Sequence, residues 1–293
     1  MPPIARMRGL GQTRAQCHIP CMSLPDNLPH TLPGRAIVSI AGDEARSFLQ
    51  RVITADVTSL DAGDCRPGAL LTPQGKILVD FLIFAEDRTV WLDVPAEAAA
   101  GLVKRLTLFK LRAQAEIVHN MDVCAVWSTV PHPGLTPDPR LEGRVYRGIA
   151  QQGGPEKPLD TLELEAGVPA FGRDYGEAEV FPTDVNLDVY GGVGWKKGCF
   201  IGQEVVSRMK RRGTIRKRSI PAVFASEAPP RGTAVMAGDA KVGAISSSAG
   251  HHAIILTRID KLGTATRYAE ADGQEAHITL PQALIPDAPP QAV

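Results

Sequence analysis

The stretch from Lys197 to Arg208 holds the residues of this sequence that are best suited to chemistry. Cys199 lies between Gly198 and Gly202, and Lys197 precedes it closely. A nearby ammonium favours the thiolate, which is the nucleophilic and metal-binding form of cysteine. Glycine permits tight backbone geometry and lets a second group approach. The spacing therefore indicates a reactive or ligating thiol, although a free cysteine more commonly packs as a small buried side chain.

Length and composition limit the size of the folded units and the kinds of partner that this chain can have. The 293 residues can bury a large core, as two or three packed units. The 32 basic and 32 acidic residues balance, so no overall field attracts nucleic acid or a membrane surface. No apolar run approaches the roughly 20 residues that span a bilayer. We therefore expect a monomer without nucleic-acid or membrane partners.

The five cysteines are few, odd in number and widely spread, so they indicate a reducing compartment rather than a disulfide framework. Cys17 and Cys21 have no second half-site nearby, and we expect no zinc site. Residues 1–22 contain arginines, no acid and no continuous apolar segment, which excludes a secretory signal. We expect them to be a disordered or spurious extension of a cytoplasmic protein. The alternative is a transit peptide, which would direct the chain to the mitochondrial matrix.

Periodicity and turn residues predict a first α+β unit over residues 23–130. Asp43 is expected to cap a helix that buries Ala45, Phe48 and Leu49. A second helix is predicted over 96–109. Strands are expected at Arg35–Ile40, Gly68–Leu71, Lys76–Phe84, Thr89–Val94, Ala113–Val118 and Val123–Val130.

A second, shorter unit is predicted over residues 131–218. A proline-rich loop over 131–139 opens it, and strands are expected at Arg144–Ile149 and Leu162–Ala166. Residues 219–293 contain short, closely spaced strand patterns and no convincing helix, which indicates a C-terminal β-barrel with a loose tail from Pro286. The strands are expected at Ser219–Phe224, Ala234–Ala237, Lys241–Ser246, His252–Ile259 and Glu275–Ile278.

The run from Lys197 to Glu204, together with Arg208, resembles the signature K-G-C-[FY]-x-G-Q-E-x-x-x-R of the YgfZ family at every position. Weaker similarity extends over most of the chain, from about Gly34 onward. It includes Gly42–Val57, Leu71–Phe84 and the L-E-A-G segment Leu164–Pro169. YgfZ proteins bind folate, act in the assembly and repair of iron–sulfur clusters, and are related to the T-protein (aminomethyltransferase) of the glycine cleavage system.

This resemblance implies an α+β, T-protein-like fold, in which two ferredoxin-like units and a C-terminal barrel surround a central folate-binding cleft. It implies a tetrahydrofolate or related reduced folate, and iron–sulfur client proteins and assembly factors as partners. Cys199 would be the reactive thiol, or a ligand to a transient cluster shared with a partner, since such clusters usually take four thiolates. Folate-binding residues carried over from the family are Glu165, Lys197, Gln203, Glu204 and Arg208.

Glu165 is the residue that the resemblance assigns to the pterin ring. A pterin presents an exocyclic amine and a ring N–H side by side, and one carboxylate can accept from both. Without the family, a strand-end glutamate facing water would be the ordinary interpretation.

The alternative function is a folate-dependent aminomethyltransferase-like one-carbon transfer. The T-proteins have a key aspartate in the strand that corresponds to Val79–Phe84, and Phe81 stands at that position here. Asp80 is adjacent, but neighbouring side chains of a strand point to opposite faces. Glu163 also replaces an arginine that is usual in the family. We therefore expect the folate pocket without the transferase chemistry.

Seven basic residues occur between positions 208 and 218, with no acid between Glu204 and Glu227. Three interpretations remain open for this cluster. It could be a solvated strand–turn face, a guide for the acidic polyglutamate tail of folate, or a contact for RNA phosphates. RNA is the least favoured, because no aromatic residue alternates with the cations.

Overall fold

A computed structural model describes residues 28–141, 143–262 and 267–280. The expected N-terminal extension, Cys17, Cys21 and the tail from Pro286 lie outside the described residues.

The first unit is an antiparallel five-stranded sheet that carries two helices on one face. The strand order is β3-β4-β5-β2-β6. The helices α1 and α2 cover alternate apolar side chains of these strands and form the largest core of the protein. The strands are β2 (Arg35–Ala41), β3 (Cys65–Leu71), β4 (Ile77–Ala85), β5 (Thr89–Pro95) and β6 (Glu116–Asn120), and the helices are α1 (Ala45–Gln50) and α2 (Ala96–Lys110).

The expected first helix is present and buries the predicted face, but Asp43 does not cap it. Helix α1 begins at Ala45, its N-cap is Glu44, and no side chain closes the first turn. Asp43 instead forms an exposed ion pair with Arg88, while Glu44 accepts a hydrogen bond from the Gln114 amide at 2.6 Å. The carboxylate at 43 lies one position too early to cap this helix.

The second unit is a five-stranded sheet in the order β10-β1-β7-β9-β8. Its strands are β1 (His30–Thr31), β7 (Cys124–Ser128), β8 (Thr136–Pro137), β9 (Tyr146–Ala150) and β10 (Gly154–Glu156). We expected the strand at 123–130 to complete the first unit. It pairs instead with β1 and β9 of the second sheet, and its residues Ala125, Val126 and Trp127 are buried.

Residues Leu162–Ala166 form a helix, so the expected strand there is wrong. Helix α3 (Asp160–Ala166) ends at Gly167, which adopts a left-handed φ of 69°. The leucines at 162 and 164 alternate with polar residues like a strand, but the Gly167 cap favours ending a helix. A Cβ at Gly167 would lie 2.5 Å from the Pro221 ring, so this glycine also lets α3 approach the third unit closely.

The third unit is a closed six-stranded barrel, as expected. The order β11-β14-β13-β12-β15-β16 closes through pairing of β11 with β16. Four of the five expected strands shift by a few residues and Ala234–Ala237 is unchanged, while Tyr268–Ala271 is a strand that the sequence analysis missed. The strands are β11 (Lys217–Phe224), β12 (Ala234–Ala237), β13 (Ala240–Ala249), β14 (His252–Arg258), β15 (Tyr268–Ala271) and β16 (Gln274–Ile278).

The basic segment after the signature begins as a helix rather than a strand–turn face. Helix α4 spans Gln203–Arg211 and buries only Val206. Arg218, the last of the cluster, is buried and forms a two-bonded ion pair with Asp188 at 2.5 and 3.0 Å. The other six cations are exposed. In the described part of the chain, no helix is both long and apolar enough to cross a membrane.

Candidate functional site

Cys199 lies in a loop that is anchored by the residue beside it. Phe200 is 7% exposed and packs with Leu71, Ile77 and Val206 in an apolar cluster between the first unit and α4. Cys199 itself is exposed. The buried phenyl ring therefore fixes the loop while the thiol faces solvent, and Cys199 is not the packed side chain of the alternative interpretation.

The loop is also held against the segment that follows α1. The Lys197 ammonium donates to the carbonyls of Ile53 and Ala55 at 2.8 and 2.6 Å, and the Gly194 amide donates to Thr54 at 2.9 Å. Burial lowers the pKa of Lys197 to about 8, with the nearby Asp56 carboxylate opposing the shift. Lys197 thus ties the signature loop to the first unit, a role that the sequence analysis did not predict.

Gly202 interlocks with the turn between β3 and β4. It has a φ of 79°, and a Cβ there would lie 2.5 Å from the Thr72 carbonyl and 3.1 Å from Gly75 Cα. Gly75 has a φ of 81° and faces Val205 and Val206 of α4. Each glycine leaves the space that the other backbone occupies. This contact sets where α4 begins relative to the first sheet.

A groove of about 660 Å³ runs beside Cys199 along α4. Gln203 and Glu204 of the predicted set line it with the thiol. The other lining residues are Trp195, Phe200, Ser207, Lys210 and Arg211. The groove therefore combines an exposed thiol with aromatic surface and two cations.

The cations of α4 have different surroundings. Lys210 Nζ lies 4.0 Å from the centre of the Trp195 ring, a cation–π contact, and burial lowers its pKa. Arg208 forms an exposed pair with Glu204 one helical turn earlier. Such surface pairs contribute only about 0.3–0.5 kcal/mol. Arg208 is not among the groove residues, and its expected role in folate binding stays a prediction.

Glu165 does not line the Cys199 groove. It lies near the end of α3 with its side chain 31% exposed, and Arg144 donates to one of its oxygens at 2.7 Å. Glu163, two positions earlier, points toward other partners and is buried. Because successive helix positions differ by about 100°, residues two apart point in nearly opposite directions.

Glu163 belongs to a buried polar cluster where the three units meet. It accepts from Arg173 at 3.0 Å and lies 4.0 Å from Arg140, which pairs with Asp138 at 2.7 Å. Arg173 also pairs with Asp174, whose carboxylate accepts from Ser246 of the barrel at 2.8 Å. Sequence reasoning missed this cluster, because its members are far apart in the chain and no spacing signals them.

The two side chains compared in β4 do point to opposite faces, as the strand geometry required. Phe81 is 1% exposed and lies in the core of the first unit. Asp80 faces the junction instead, accepts a hydrogen bond from Tyr175, and has an Oδ1 atom without a hydrogen-bond partner in the protein. Burial raises the pKa of Asp80, against the opposing effect of the Arg35 and Arg140 guanidiniums.

Among the residues that the structure describes, no group of three or more His, Cys, Asp or Glu side chains is arranged to hold a metal ion. Cys65 and Cys124 are half-buried, and burial raises the pKa of both thiols. They lie in β3 and β7 and do not line the Cys199 groove.

The structure thus brings Cys199, Gln203 and Glu204 together in one groove, whereas Lys197 binds the Ile53 and Ala55 carbonyls and does not line it. Trp195, Ser207, Lys210 and Arg211 were not predicted. The spacing of 203, 207 and 210–211 is that of one helix face, so recognising α4 would have found three of them.

Comparison with known proteins finds a family model and several relatives. Residues 216–284 match the family model of the CAF17 C-terminal beta-barrel domain. The chain is 30% identical over 260 residues to the mitochondrial iron-sulfur cluster assembly factor IBA57 homolog of Chaetomium globosum, covering 72% of this chain and 60% of that protein. The Neurospora crassa homolog is 26% identical over 66% of this chain and 53% of its own length. The chain therefore spans less than two thirds of these fungal relatives.

The human mitochondrial iron-sulfur cluster assembly factor IBA57 is 25% identical, over 87% of this chain and 83% of its own length. Among solved structures, the glycine cleavage system aminomethyltransferase T from Bartonella henselae superposes with a TM-score of 0.66 at 13% identity, over 87% of this chain and 85% of that one. At this sequence identity the structural similarity supports the fold and not a function. The chain therefore has a T-protein-like α+β fold with a closed C-terminal barrel, and its sequence is similar to proteins named IBA57.

Proposed function

We propose that this protein is a folate-binding accessory factor for the assembly or repair of iron–sulfur clusters, and that Cys199 is its working thiol. The observation that carries the proposal is the exposed Cys199 beside buried Phe200, in the lining of the groove along α4. Three separate contacts hold this loop: the Phe200 ring, the Lys197 ammonium and the Gly202 backbone. A thiol that only packed would not need to be presented in this way.

The names of the relatives support a role in iron–sulfur cluster assembly. The fungal and human proteins are named iron-sulfur cluster assembly factors. They are also named mitochondrial, which favours the matrix alternative over the cytoplasmic location expected from the cysteine content.

Cys199 supplies one thiolate, whereas an iron–sulfur cluster usually takes four. The remaining ligands would therefore come from a client protein or another assembly factor, with the cluster as cargo. In this arrangement Lys210 and Arg211 would offset the negative charge of a thiolate-ligated cluster near the groove.

A reduced folate is compatible with Glu165. A pterin edge needs both carboxylate oxygens, and one of them is now paired with Arg144. Arg144 is 47% exposed, so this ion pair stabilises the protein by no more than about 1 kcal/mol and is displaced at little cost. When bound, the folate would supply one-carbon or redox chemistry, while Glu165 would hold and orient its pterin ring.

The proposal is tested by complementation of a strain that lacks the gene. Cys199→Ser should fail to restore the activity of iron–sulfur enzymes while accumulating as folded protein. Cys124→Ser replaces a half-buried thiol away from the groove. It is the matched control and should restore activity. Full complementation by Cys199→Ser would remove the thiol from the function.

A further inference from the structure

We propose that a second groove, between α1 and the C-terminal end of α2, docks a partner protein whose face combines apolar residues with carboxylates. We take this partner to be a cluster-carrying protein, and that identification rests on the function proposed above. The docking surface itself does not depend on it.

The groove has a volume of about 470 Å³ and an apolar floor. Phe48 of α1 and Val52, which follows that helix, lie in it together with Phe109 and Leu111 from the end of α2. Phe109 is 41% exposed and Leu111 is 85% exposed, and Leu108 beside them is 66% exposed. Scattered apolar residues on a surface are ordinary, but three exposed ones within four positions beside a groove indicate an interaction site.

Leu111 adopts a backbone conformation that does not suit it. Its φ is 51°, in the left-handed region that a leucine rarely occupies, and glycine or asparagine is usual at the end of a helix. The leucine gains little packing in return, because most of its side chain is in solvent. A strained, exposed leucine points to a role outside the folded chain.

The rim of the groove is basic. Arg51, Lys110 and Arg112 line it, and the acidic residue among its lining, Glu44, already accepts a hydrogen bond from the Gln114 amide. The whole chain has no net charge, so this excess is local. Electrostatic complementarity therefore selects an acidic partner face. The first 22 residues of this chain contain no acid and do not complement the rim.

The position of the groove connects it to Cys199. Ile201 lines this second groove, while Phe200 lines the groove along α4. The signature loop therefore separates the two surfaces, and a protein seated on the apolar groove lies beside the exposed thiol. A docked partner would thus present its own ligands next to Cys199.

The test places a photo-crosslinking residue, p-benzoylphenylalanine, at Leu108 of the full chain in cells. The same residue at Met121, which is 80% exposed and outside the groove, is the control. The expected result is a crosslink specific to position 108, mapped to an apolar segment of another protein that contains Asp or Glu. No specific crosslink, a crosslink to a second copy of this chain, or a basic segment would each overturn the proposal.

The captured protein is then purified and titrated against variants. Leu111→Gly should weaken binding about tenfold, since one leucine leaves the interface, while its thermal midpoint is unchanged or higher because the backbone strain is relieved. Arg112→Glu should weaken binding, and reversal of a carboxylate in the mapped segment should restore it. Lys241→Glu in the barrel is the charge control. Binding unaffected by Leu111→Gly or by Arg112→Glu contradicts the proposal.

Cys199→Ser separates this inference from the proposed function. It should abolish complementation and leave docking intact. If Leu111→Gly loses docking but complements normally, the docking surface stands. Its partner is then a protein that the proposed function does not require.

Discussion

At the scale of single residues, the Cys199 thiol is exposed, and the Lys197 ammonium two positions before it is bound by backbone carbonyls. Cys199 and the two residues Gln203 and Glu204 could be predicted because they lie within one short signature. Lys197 was expected to act on the thiol, whereas its ammonium donates to Ile53 and Ala55. Those carbonyls are more than a hundred positions away in the chain, so no local spacing could reveal them.

Cys199 should react with iodoacetamide faster than Cys65 and Cys124 in the folded protein near neutral pH. Its side chain is exposed, whereas burial raises the pKa of the other two thiols and lowers their thiolate fraction. Mass spectrometry of each labelled peptide over time measures the three rates. Equal rates would mean that the exposed thiol is not accessible in solution, and unfolded protein in denaturant supplies the reference in which the rates should converge.

Glu165→Gln should weaken the binding of tetrahydrofolate about ten- to a hundredfold, because a charged acceptor of two hydrogen bonds contributes about 1.5–3 kcal/mol. Isothermal titration calorimetry measures the change. Arg144→Gln is the matched control: it frees the carboxylate from its ion pair and should leave the affinity unchanged or improve it. Unchanged affinity in Glu165→Gln would remove this residue from the folate site.

At the scale of elements, strands with a clear period of two and the long helix α2 could be predicted closely, but α3 could not. The spacing of Leu162, Leu164 and Ala166 suits a strand, and the helix is revealed only by its Gly167 cap and its packing on the barrel. Helix α4 was hidden for a different reason. Its nine residues include only three apolar ones, Val205, Val206 and Met209, and the single buried one, Val206, contacts a turn from another unit.

Gly202→Ala should destabilise the protein and reduce complementation, whereas Gly198→Ala should do neither. At Gly202 an alanine would occupy a left-handed conformation and meet the Thr72 carbonyl at 2.5 Å, while no atom lies within 4 Å of a Cβ at Gly198. Strain and overpacking together cost about 2–4 kcal/mol. Urea unfolding of the two variants measures the difference. Equal stability of the two would show that the interlock with the β3–β4 turn does not position α4.

At the scale of the whole molecule, two α+β units and a C-terminal barrel could be predicted from the succession of elements. Their mutual arrangement could not, because the contacts that join them are ionic and distant in sequence. Asp93 of β5 pairs with Arg147 of β9, and Asp174 accepts from serines of the barrel. A buried carboxylate and its partner leave no periodic pattern, so the junction could not be predicted from the sequence.

The purified protein should not transfer an aminomethyl group to tetrahydrofolate in a reconstituted glycine cleavage assay. Phe81 stands where the resemblance expects the acidic residue, and it is buried in the first core rather than facing the junction. Substitution of Phe81 by Asp would bury a charge among apolar side chains and should unfold the unit instead of creating activity. Robust turnover by the unmodified protein would favour the alternative function.

Asp80 and Asp138 should affect the pH dependence of folding in opposite directions. Burial raises the pKa of Asp80 above its ordinary 3.8, so the folded state holds its proton more tightly and stability falls as pH rises through that window. Burial also acts on Asp138, but the Arg140 and Arg147 guanidiniums hold its pKa below 3.8, so its contribution is lost as pH falls.

Asp80→Asn should therefore gain in stability relative to the wild-type protein on going from about pH 4 to about pH 7, whereas Asp138→Asn should lose. The free energy of unfolding of each variant, measured in urea at both pH values, gives the two differences. Each variant is the other's control, because both replace a buried carboxylate of the same junction by its neutral isostere. If both differences change in the same direction with pH, then the two carboxyls do not have opposed ionisation in the folded state. In that case the unpartnered Asp80 oxygen is solvated, and the junction between the units is open to water.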